Sequence, residues 1–160
     1  PQLEKLLENM WKTMYNSSGV GLAAPQINLS ISVFIIDTKP FIVEGDEDNS
    51  IKKVFINATI TEEEGDEWSF NEGCLSIPDI REEVKRKPEI TVKYQDENFK
   101  WHNETFKGIT ARVIQHEYDH IQGKLFIDYI SPLRKRMLKR KLENISKGKV
   151  DVNYRMKFPR

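Results

Sequence analysis

The sequence has only one cysteine and three histidines among its 160 residues. A single cysteine excludes a disulfide bond within the chain, which is typical of proteins that work in a reducing compartment such as the cytosol. The chain also lacks any apolar run near the roughly 18 residues that would span a bilayer. It has no charged-then-apolar signal segment at its beginning. These absences favour an ordinary soluble domain in a reducing compartment.

What is present is the composition of an ordinary globular protein. With 38% hydrophobic residues, the chain can bury one good core. The net charge of zero hides an asymmetry: residues 131–160 carry 11 Lys and Arg against 2 Asp and Glu, a net of +9, whereas residues 1–130 carry 14 against 23, a net of −9. We therefore predict a single domain over residues 1–146 that includes a C-terminal helix at residues 131–146, followed by a basic tail at residues 147–160.

Hydrophobic periodicity predicts the main elements. Apolar residues at helical spacing predict a helix over residues 1–15. A second helix is predicted to follow Gly108 and to run to Ile121, where Gly123 is placed to end it. Four segments have the composition or alternation of β-strands: residues 31–37, 52–60, 88–94 and 99–106. The last two are predicted to pair as an antiparallel hairpin, so the predicted fold class is α+β.

The most informative segment is QHEYDH at residues 115–120, which holds two of the three histidines. On a helix, a separation of four residues brings His116 and His120 to nearly the same face, so they can bind one divalent ion together. Glu117 lies beside the first ligand, within reach of a water on that ion, where it can take and return protons. The pattern indicates metal-assisted hydrolysis of a carbonyl compound. The alternative is an amphipathic helix whose two histidines are solvated.

The lone cysteine supplies a candidate third ligand. A catalytic metal usually has three protein ligands and an open position for water, so two imidazoles are not enough. Cys74 lies in the segment NEGCLS at residues 71–76, where Gly73 permits a turn or a close backbone approach. A lone cysteine is also often a small buried hydrophobic residue. Beside an otherwise incomplete histidine pair, the role of metal ligand is the better interpretation.

A third segment, GVGLAAPQ at residues 19–26, contains two glycines and several small residues. Alone it favours tight internal packing, since it lacks the spacing of nucleotide-binding loops. Together and in this order, the three segments resemble the peptide deformylases, whose patterns G-x-G-x-A-A-x-Q, E-G-C-x-S and H-E-x-D-H match residues 19–26, 72–76 and 116–120. The resemblance implies antiparallel strands around a central metal-binding helix, with a C-terminal helix. It also implies removal of the N-formyl group from new polypeptides that begin with formyl-methionine.

The resemblance implies a role for each matching residue. The side-chain amide of Gln26 and the backbone N–H of Leu75 would stabilise the oxyanion of the attacked formyl group. Glu117 would act as general base and acid. The metal ligands would be Cys74, His116 and His120. The residues that contact the substrate would be Val20, Gly21, Phe70, Arg81, Ile109, Arg112 and Val113.

Helical geometry supports part of this substrate pocket. Ile109 and Val113 precede His116 by seven and three residues, so all three share a face. This apolar strip leads towards the metal and could hold a methionine side chain, whose burial is worth about 1.5–3 kcal/mol. Plain core packing of Ile109 and Val113 is the alternative.

The predicted pocket also includes two arginines. Arg112 departs from the family, which commonly has an apolar residue at this position. We expect its stem to cover the pocket wall while its guanidinium stays in water at the mouth. Arg81 is expected near the substrate backbone, and a surface ion pair with Glu82 or Glu83 is the alternative.

The resemblance also predicts a cofactor, partners and a location. One divalent ion per chain is expected, with Fe²⁺ as the native metal and Zn²⁺, Ni²⁺ or Co²⁺ able to occupy the site, although a Cys-His-His set alone suits zinc. The substrate is a nascent formyl-methionine peptide, no membrane partner is expected, and the location is a bacterial cytoplasm, or an organelle if a transit segment is missing. The basic C-terminal helix is predicted to dock on ribosomal RNA, with a merely solvated basic face as the alternative. Its apolar residues are predicted to form one side that packs on the domain: Leu133, Met137, Leu138, Leu142 and Ile145.

Two other functions fit parts of the sequence. The first is a zinc peptidase of the H-E-x-x-H type, but such enzymes generally take their third ligand from downstream, whereas Cys74 lies upstream. The second is a catalytically silent ribosome- or RNA-associated module that uses the basic C-terminal part. The retention of Glu117, Gln26 and the three ligand residues argues against a silent module.

Overall fold

The structure is a computed structural model and describes residues 1–41, 44–45 and 47–158. The helices of these residues are α1 (Gln2–Asn16), α2 (Gly108–Ile121) and α3 (Pro132–Ser146). The strands are β1 (Gly21–Ala23), β2 (Val33–Asp37), β3 (Lys52–Glu64), β4 (Trp68–Cys74), β5 (Ile77–Arg86), β6 (Glu89–Gln95) and β7 (Trp101–Lys107). The predicted α+β class is confirmed. None of the described helices is long and apolar enough to cross a bilayer.

Five strands form an antiparallel sheet in the order β1-β2-β3-β6-β7. Every residue of β2 is buried, because successive side chains of this apolar strand enter different hydrophobic clusters. Phe34 belongs to the cluster that contains Ile114 of α2, whereas Ile35 belongs to the cluster that contains Met10 of α1. The sheet therefore lies between the two helices, and α2 is the central helix that the sequence predicted.

A second sheet consists of the β4–β5 hairpin, which the sequence analysis did not predict. Cys74 pairs with Ile77, so only Leu75 and Ser76 connect the two strands, and the register shifts between Gly73 and Cys74. The alternating side chains of β5 pack against residues that follow α2 and against α3. These contacts form a third hydrophobic cluster, whose buried residues are Ile77, Ile80, Val84, Phe126 and Ile127.

The C-terminal helix α3 begins where the Ser131 hydroxyl accepts a hydrogen bond from the Arg134 N–H (3.2 Å). Three of its predicted apolar residues pack against the hairpin: Leu138, Leu142 and Ile145. The prediction is wrong for Leu133 and Met137, which are 68% and 66% exposed. At about 100° per residue, these two lie roughly 130° around the helix from the other three, so one helix cannot pack all five on the same surface.

Candidate metal centre

Helix α2 carries both histidines and Glu117, and its two ends are fixed by glycines. Gly108 has a φ of +60°, which lets β7 turn directly into the helix, and Gly123 has a φ of +75° just beyond the helix end. The N–H of Gly123 donates to the His120 carbonyl (3.1 Å). The helix boundaries agree with the predicted ones, and the buried Ile114 attaches this helix to the main sheet.

The fold brings the three predicted ligands together. Cys74 stands at the end of β4, opposite α2, and its Sγ lies 3.4 Å from Nε2 of His120. One ligand atom from each of Cys74, His116 and His120 lies within 4.8 Å of the others. Two atoms at about 2.3 and 2.0 Å from one tetrahedral ion are about 3.5 Å apart. The donor set and its spacing therefore fit a single divalent ion.

Electrostatics at the two histidines also favour a cation. Burial alone would lower the pKa of His116, but its hydrogen bonds to Cys74 and Glu72 raise this pKa to about 10, so positive charge is stabilised here. Burial and the nearby His116 and Arg86 lower the pKa of His120 to about 4. The neutral ring of His120 therefore has a lone pair available for a metal.

Glu117 has a buried carboxylate beside the ligand set. It is 5% exposed, and its Oε2 atom has no hydrogen-bond partner among the described residues. Burial raises the pKa of Glu117 to about 7. A Cβ atom on Gly21 would lie only 2.7 Å from Oε1 of Glu117, so the glycine makes room for this carboxylate. An unpaired buried oxygen on the residue that follows His116 in sequence fits a site that receives an ion and a water.

A buried carboxylate, Glu72, orients one of the candidate ligands. Its Oε1 is 3.0 Å from Nδ1 of His116, which leaves Nε2 of that ring for the metal. Arg86 donates two hydrogen bonds to Glu72 (2.7 and 3.0 Å) and one to Asp119 (2.8 Å), while Asp119 also accepts from the Tyr129 hydroxyl (3.0 Å). Burial alone would raise the pKa of Glu72, but hydrogen bonds from His116 and Arg86 lower it to about 2. Glu72 is therefore ionised.

Sequence reasoning missed most of this network. Glu72 was visible as a fixed position of the E-G-C-x-S pattern, but no role was assigned to it. Arg86 had no signal of its own, since it reaches Glu72 only through the pairing of β4 with β5, in which it lies opposite Trp68. Asp119 was likewise visible only as a fixed position of the H-E-x-D-H pattern, and its carboxylate accepts hydrogen bonds from Arg86 and Tyr129.

The structure places the Arg112 side chain differently from the prediction. The expectation that its guanidinium stays in water is wrong, because the residue is only 2% exposed. Its Nη1 donates to Glu72 (2.5 Å) and to the Val84 carbonyl (3.0 Å), and its Nη2 donates to the Trp68 carbonyl (2.6 Å). The guanidinium also lies 4.4 Å from the centre of the Trp68 ring. The β4–β5 hairpin supplies these partners, and their attraction draws the side chain inwards.

The predicted oxyanion donors lie around the hairpin turn. The Gln26 Nε2 donates to the Ser76 hydroxyl (3.0 Å) and contacts Sγ of Cys74 at 3.6 Å. Its Oε1 accepts a hydrogen bond from the Ala23 N–H (2.9 Å), which fixes the orientation of the amide. Leu75 is the first residue of the turn, directly after Cys74. The structure thus gathers Gln26, Leu75 and the cysteine at one place.

The remaining predicted pocket residues have different degrees of exposure. Val20, Ile109 and Val113 are half-buried, whereas Gly21 is buried and Phe70 is 37% exposed. On α2, Val113 is half-buried between the buried Arg112 and Ile114, and Ile109 is half-buried one turn before it, which agrees with a strip whose outer side faces solvent. Val113 also packs against the hydrophobic cluster that contains Phe34 and Ile114, as expected if it serves in core packing.

Arg81 is exposed on the hairpin. Its Nη2 donates to the Asn71 carbonyl across the two strands (2.6 Å). Glu82, one of the two alternative partners, instead accepts from Nε of Arg134 (2.9 Å). The guanidinium of Arg81 also lies over Gly73, where an added Cβ would be 2.9 Å from Nη1.

Comparison with known proteins points to one family. Residues 1–136 match the sequence model of a family described as polypeptide deformylase. The chain is 56% identical to the peptide deformylase of Christiangramia forsetii, over 99% of this chain and 85% of that protein. It is similar to the crystal structure of a peptide deformylase from Legionella pneumophila, with 39% identity and a TM-score of 0.77 over 92% of this chain and 83% of that one. An Arabidopsis thaliana peptide deformylase in complex with an inhibitor has a TM-score of 0.81 and 28% identity, over 97% of this chain and 86% of that one.

Proposed function

Because this chain belongs to the peptide deformylase family and, as a metal-dependent hydrolase, removes the N-formyl group from newly synthesised polypeptides, we propose specific roles for the residues of its metal centre. Cys74, His116 and His120 hold one divalent ion. The chemistry that such an ion supplies when bound is polarisation of the formyl carbonyl and activation of water. The observation that carries the assignment is the convergence of these three ligand atoms within 4.8 Å of one another, with a buried, unpaired Oε2 on Glu117, the residue after His116.

The protein's own groups move the proton and stabilise the charge. Glu117 takes a proton from the attacking water as the new C–O bond forms. It returns that proton to the amide nitrogen as the C–N bond breaks, so formate and a free N-terminal amine leave. The Gln26 amide and the Leu75 N–H donate hydrogen bonds to the oxygen on which negative charge develops, an interaction commonly worth a few kcal/mol. Glu72 keeps His116 in the orientation that ligation requires.

The substrate side of the proposal uses the half-buried strip of α2. Ile109 and Val113, with Val20 and Phe70, line the pocket for the methionine side chain, and the Gly21 backbone hydrogen-bonds the extended peptide. Arg81 lies near the substrate backbone. Arg112 is left out of the pocket, because its guanidinium is committed to Glu72 and to two carbonyls.

The native metal in this proposal is Fe²⁺. A thiolate and two imidazoles also accept Zn²⁺, Ni²⁺ or Co²⁺, and affinity order does not decide which ion occupies a site in a cell. Anaerobic purification followed by metal analysis tests the choice. Iron at about one ion per chain with high activity supports it, whereas an anaerobic protein that holds only zinc and is fully active contradicts it.

One assay tests the reaction and separates it from the alternatives. Anaerobically prepared protein should release formate from formyl-Met-Ala-Ser and should leave an internal peptide bond uncut. Cleavage of the internal peptide would favour a peptidase of the H-E-x-x-H type. Binding to ribosomes without release of formate would favour a silent module.

We also propose that the enzyme works in the bacterial cytoplasm, where the domain formed by residues 1–146 docks weakly on the ribosome through α3. Arg136 and Arg140 form no ion pair within the described part of the chain, whereas Arg134 is held by Glu82 (2.9 Å). The exposed Leu133 and Met137 lie on the same side of the helix as these two arginines. Polyanionic RNA would be attracted to this face, with an affinity that falls steeply as salt rises.

Charge reversal at Arg136 and Arg140 to Glu should abolish cosedimentation with ribosomes at low salt while deformylation of a free peptide continues. The matched control is Lys5→Glu together with Lys12→Glu on α1, which changes charge equally on another surface. Unchanged cosedimentation of the α3 variant would contradict docking through this helix.

A further inference from the structure

The tail after α3 folds back onto the protein. From Asp151 to Phe158, exposed and half-buried side chains alternate, although the segment has no helix or strand. The Phe158 ring returns to Gly148, where an added Cβ would lie 3.1 Å from the ring. Half-buried Tyr154 stands in the middle of this segment. Such alternation is typical of an extended segment that lies on a surface with every second side chain turned inwards.

One hydrogen bond connects this tail to the metal centre. The Tyr154 hydroxyl donates to the Leu75 carbonyl at 2.8 Å, over a separation of 79 residues in sequence. Leu75 lies in the two-residue turn of the β4–β5 hairpin, between the ligand Cys74 and Ser76. The tail thus reaches the same turn that provides a metal ligand and a proposed oxyanion donor.

This turn depends on partners from outside the hairpin. The register of the two strands shifts between Gly73 and Cys74, so the regular ladder is interrupted just before the turn. The Ser76 hydroxyl is held by Gln26 (3.0 Å), and the Leu75 carbonyl is held by Tyr154. The Leu75 N–H and the Leu75 carbonyl belong to adjacent peptide planes. The relative orientation of these planes depends only on the two backbone dihedral angles of Leu75. A partner that fixes one plane therefore restricts the other.

We propose that Tyr154 is a positioning residue for deformylation, which holds the turn from Cys74 to Ser76 so that the Leu75 N–H stays aligned with the oxygen of the attacked formyl group. The proposal rests on the donor role of Leu75 stated above. Preorganised donors stabilise a transition state because they need no reorganisation at the moment of reaction. A tail that merely carried positive charge would not require a tyrosine hydroxyl on this carbonyl.

Tyr154→Phe in the metal-loaded enzyme tests this role, since it removes one hydroxyl and keeps the ring. The kcat for formyl-Met-Ala-Ser should fall about three- to tenfold with KM within about twofold, as expected when a misaligned Leu75 N–H loses its hydrogen bond to the transition-state oxygen. Amide exchange of residues 73–77 should become faster, and metal content should stay at about one ion per chain. The matched control is Tyr15→Phe, which removes a hydroxyl bonded to Asp37 (2.5 Å) on the main sheet and should leave kcat unchanged.

Two results would overturn the proposal. One is an unchanged kcat in Tyr154→Phe, whether or not exchange at residues 73–77 becomes faster. The other is loss of metal in that variant, which would mean that the tail serves the ligand Cys74 instead of the donor. Gln26→Ala provides the separate test of the donor assignment: if its kcat stayed normal, the proposed oxyanion site would fail irrespective of Tyr154.

Discussion

Replacing Arg112 with leucine should destabilise the fold while leaving substrate binding intact. The guanidinium is buried and donates to the Glu72 carboxylate and to the carbonyls of Val84 and Trp68. Leucine has no donor, so the Glu72 carboxylate and the two carbonyls each lose a partner at about 1–2 kcal/mol. Burial of the leucine side chain returns about 2 kcal/mol. The net loss should be about 1–4 kcal/mol, which is a substantial part of the stability of an ordinary domain.

Chemical and thermal denaturation of the metal-loaded protein measure this loss. For a chain of this size, about 1–4 kcal/mol corresponds to a decrease in Tm of roughly 2–16 °C. Arg81→Leu is the matched control, since Arg81 is exposed on the same hairpin, and its stability should change by about 0.5 kcal/mol or less. The KM for formyl-Met-Ala-Ser should stay within about twofold in Arg112→Leu.

The opposite pattern would refute this reasoning. If Arg112→Leu kept its free energy of unfolding but raised KM severalfold, the guanidinium would have to contact the substrate at the mouth of the pocket. The two placements of one arginine therefore predict different observables: a buried network affects unfolding, and a pocket wall affects binding.

Three further predictions concern the metal centre. Cys74→Ser should sharply lower metal content and activity, because a hard hydroxyl replaces a soft thiolate; normal metal content with normal turnover would reject the ligand assignment. Glu117→Ala should keep about one ion per chain while kcat falls roughly 10²–10⁴-fold, and loss of metal would show that this carboxylate has been given the wrong role. Gly21→Ala should push the Glu117 carboxylate away, since the new Cβ would lie 2.7 Å from Oε1. Displacement of a catalytic group by about 1 Å can cost 10²-fold in rate, so an unchanged kcat in Gly21→Ala would contradict the described position of Glu117.

The sequence predicted the parts of the structure that depend on local patterns. The length of α2, its end at Gly123 and the β6–β7 hairpin follow from periodicity and from glycine positions within a short window. The face shared by His116 and His120 follows from helical geometry alone. These features need no knowledge of distant residues.

The missed features depend on contacts between distant segments. Arg112 reaches Glu72 across 40 residues, and Tyr154 reaches Leu75 across 79. The strand β4 was missed because its side chains are mostly exposed or half-buried, so it lacks a clear hydrophobic alternation. Without this strand, no local signal could indicate that Arg112 has buried partners. Because arginine side chains are mostly exposed in proteins, the sequence predicted a solvated guanidinium.

The two halves of the proposed metal centre belong to units with separate hydrophobic cores. Helix α2 is attached to the five-stranded sheet, whereas Cys74 belongs to the hairpin whose core α3 completes. Units of this kind can open one at a time, at a free energy below that of global unfolding. An ion shared by both units stabilises only the closed arrangement, by an amount that grows with its free concentration. Metal supply should therefore control how long the protein survives proteolysis, because the apo hairpin would be the first place at which a protease finds open chain.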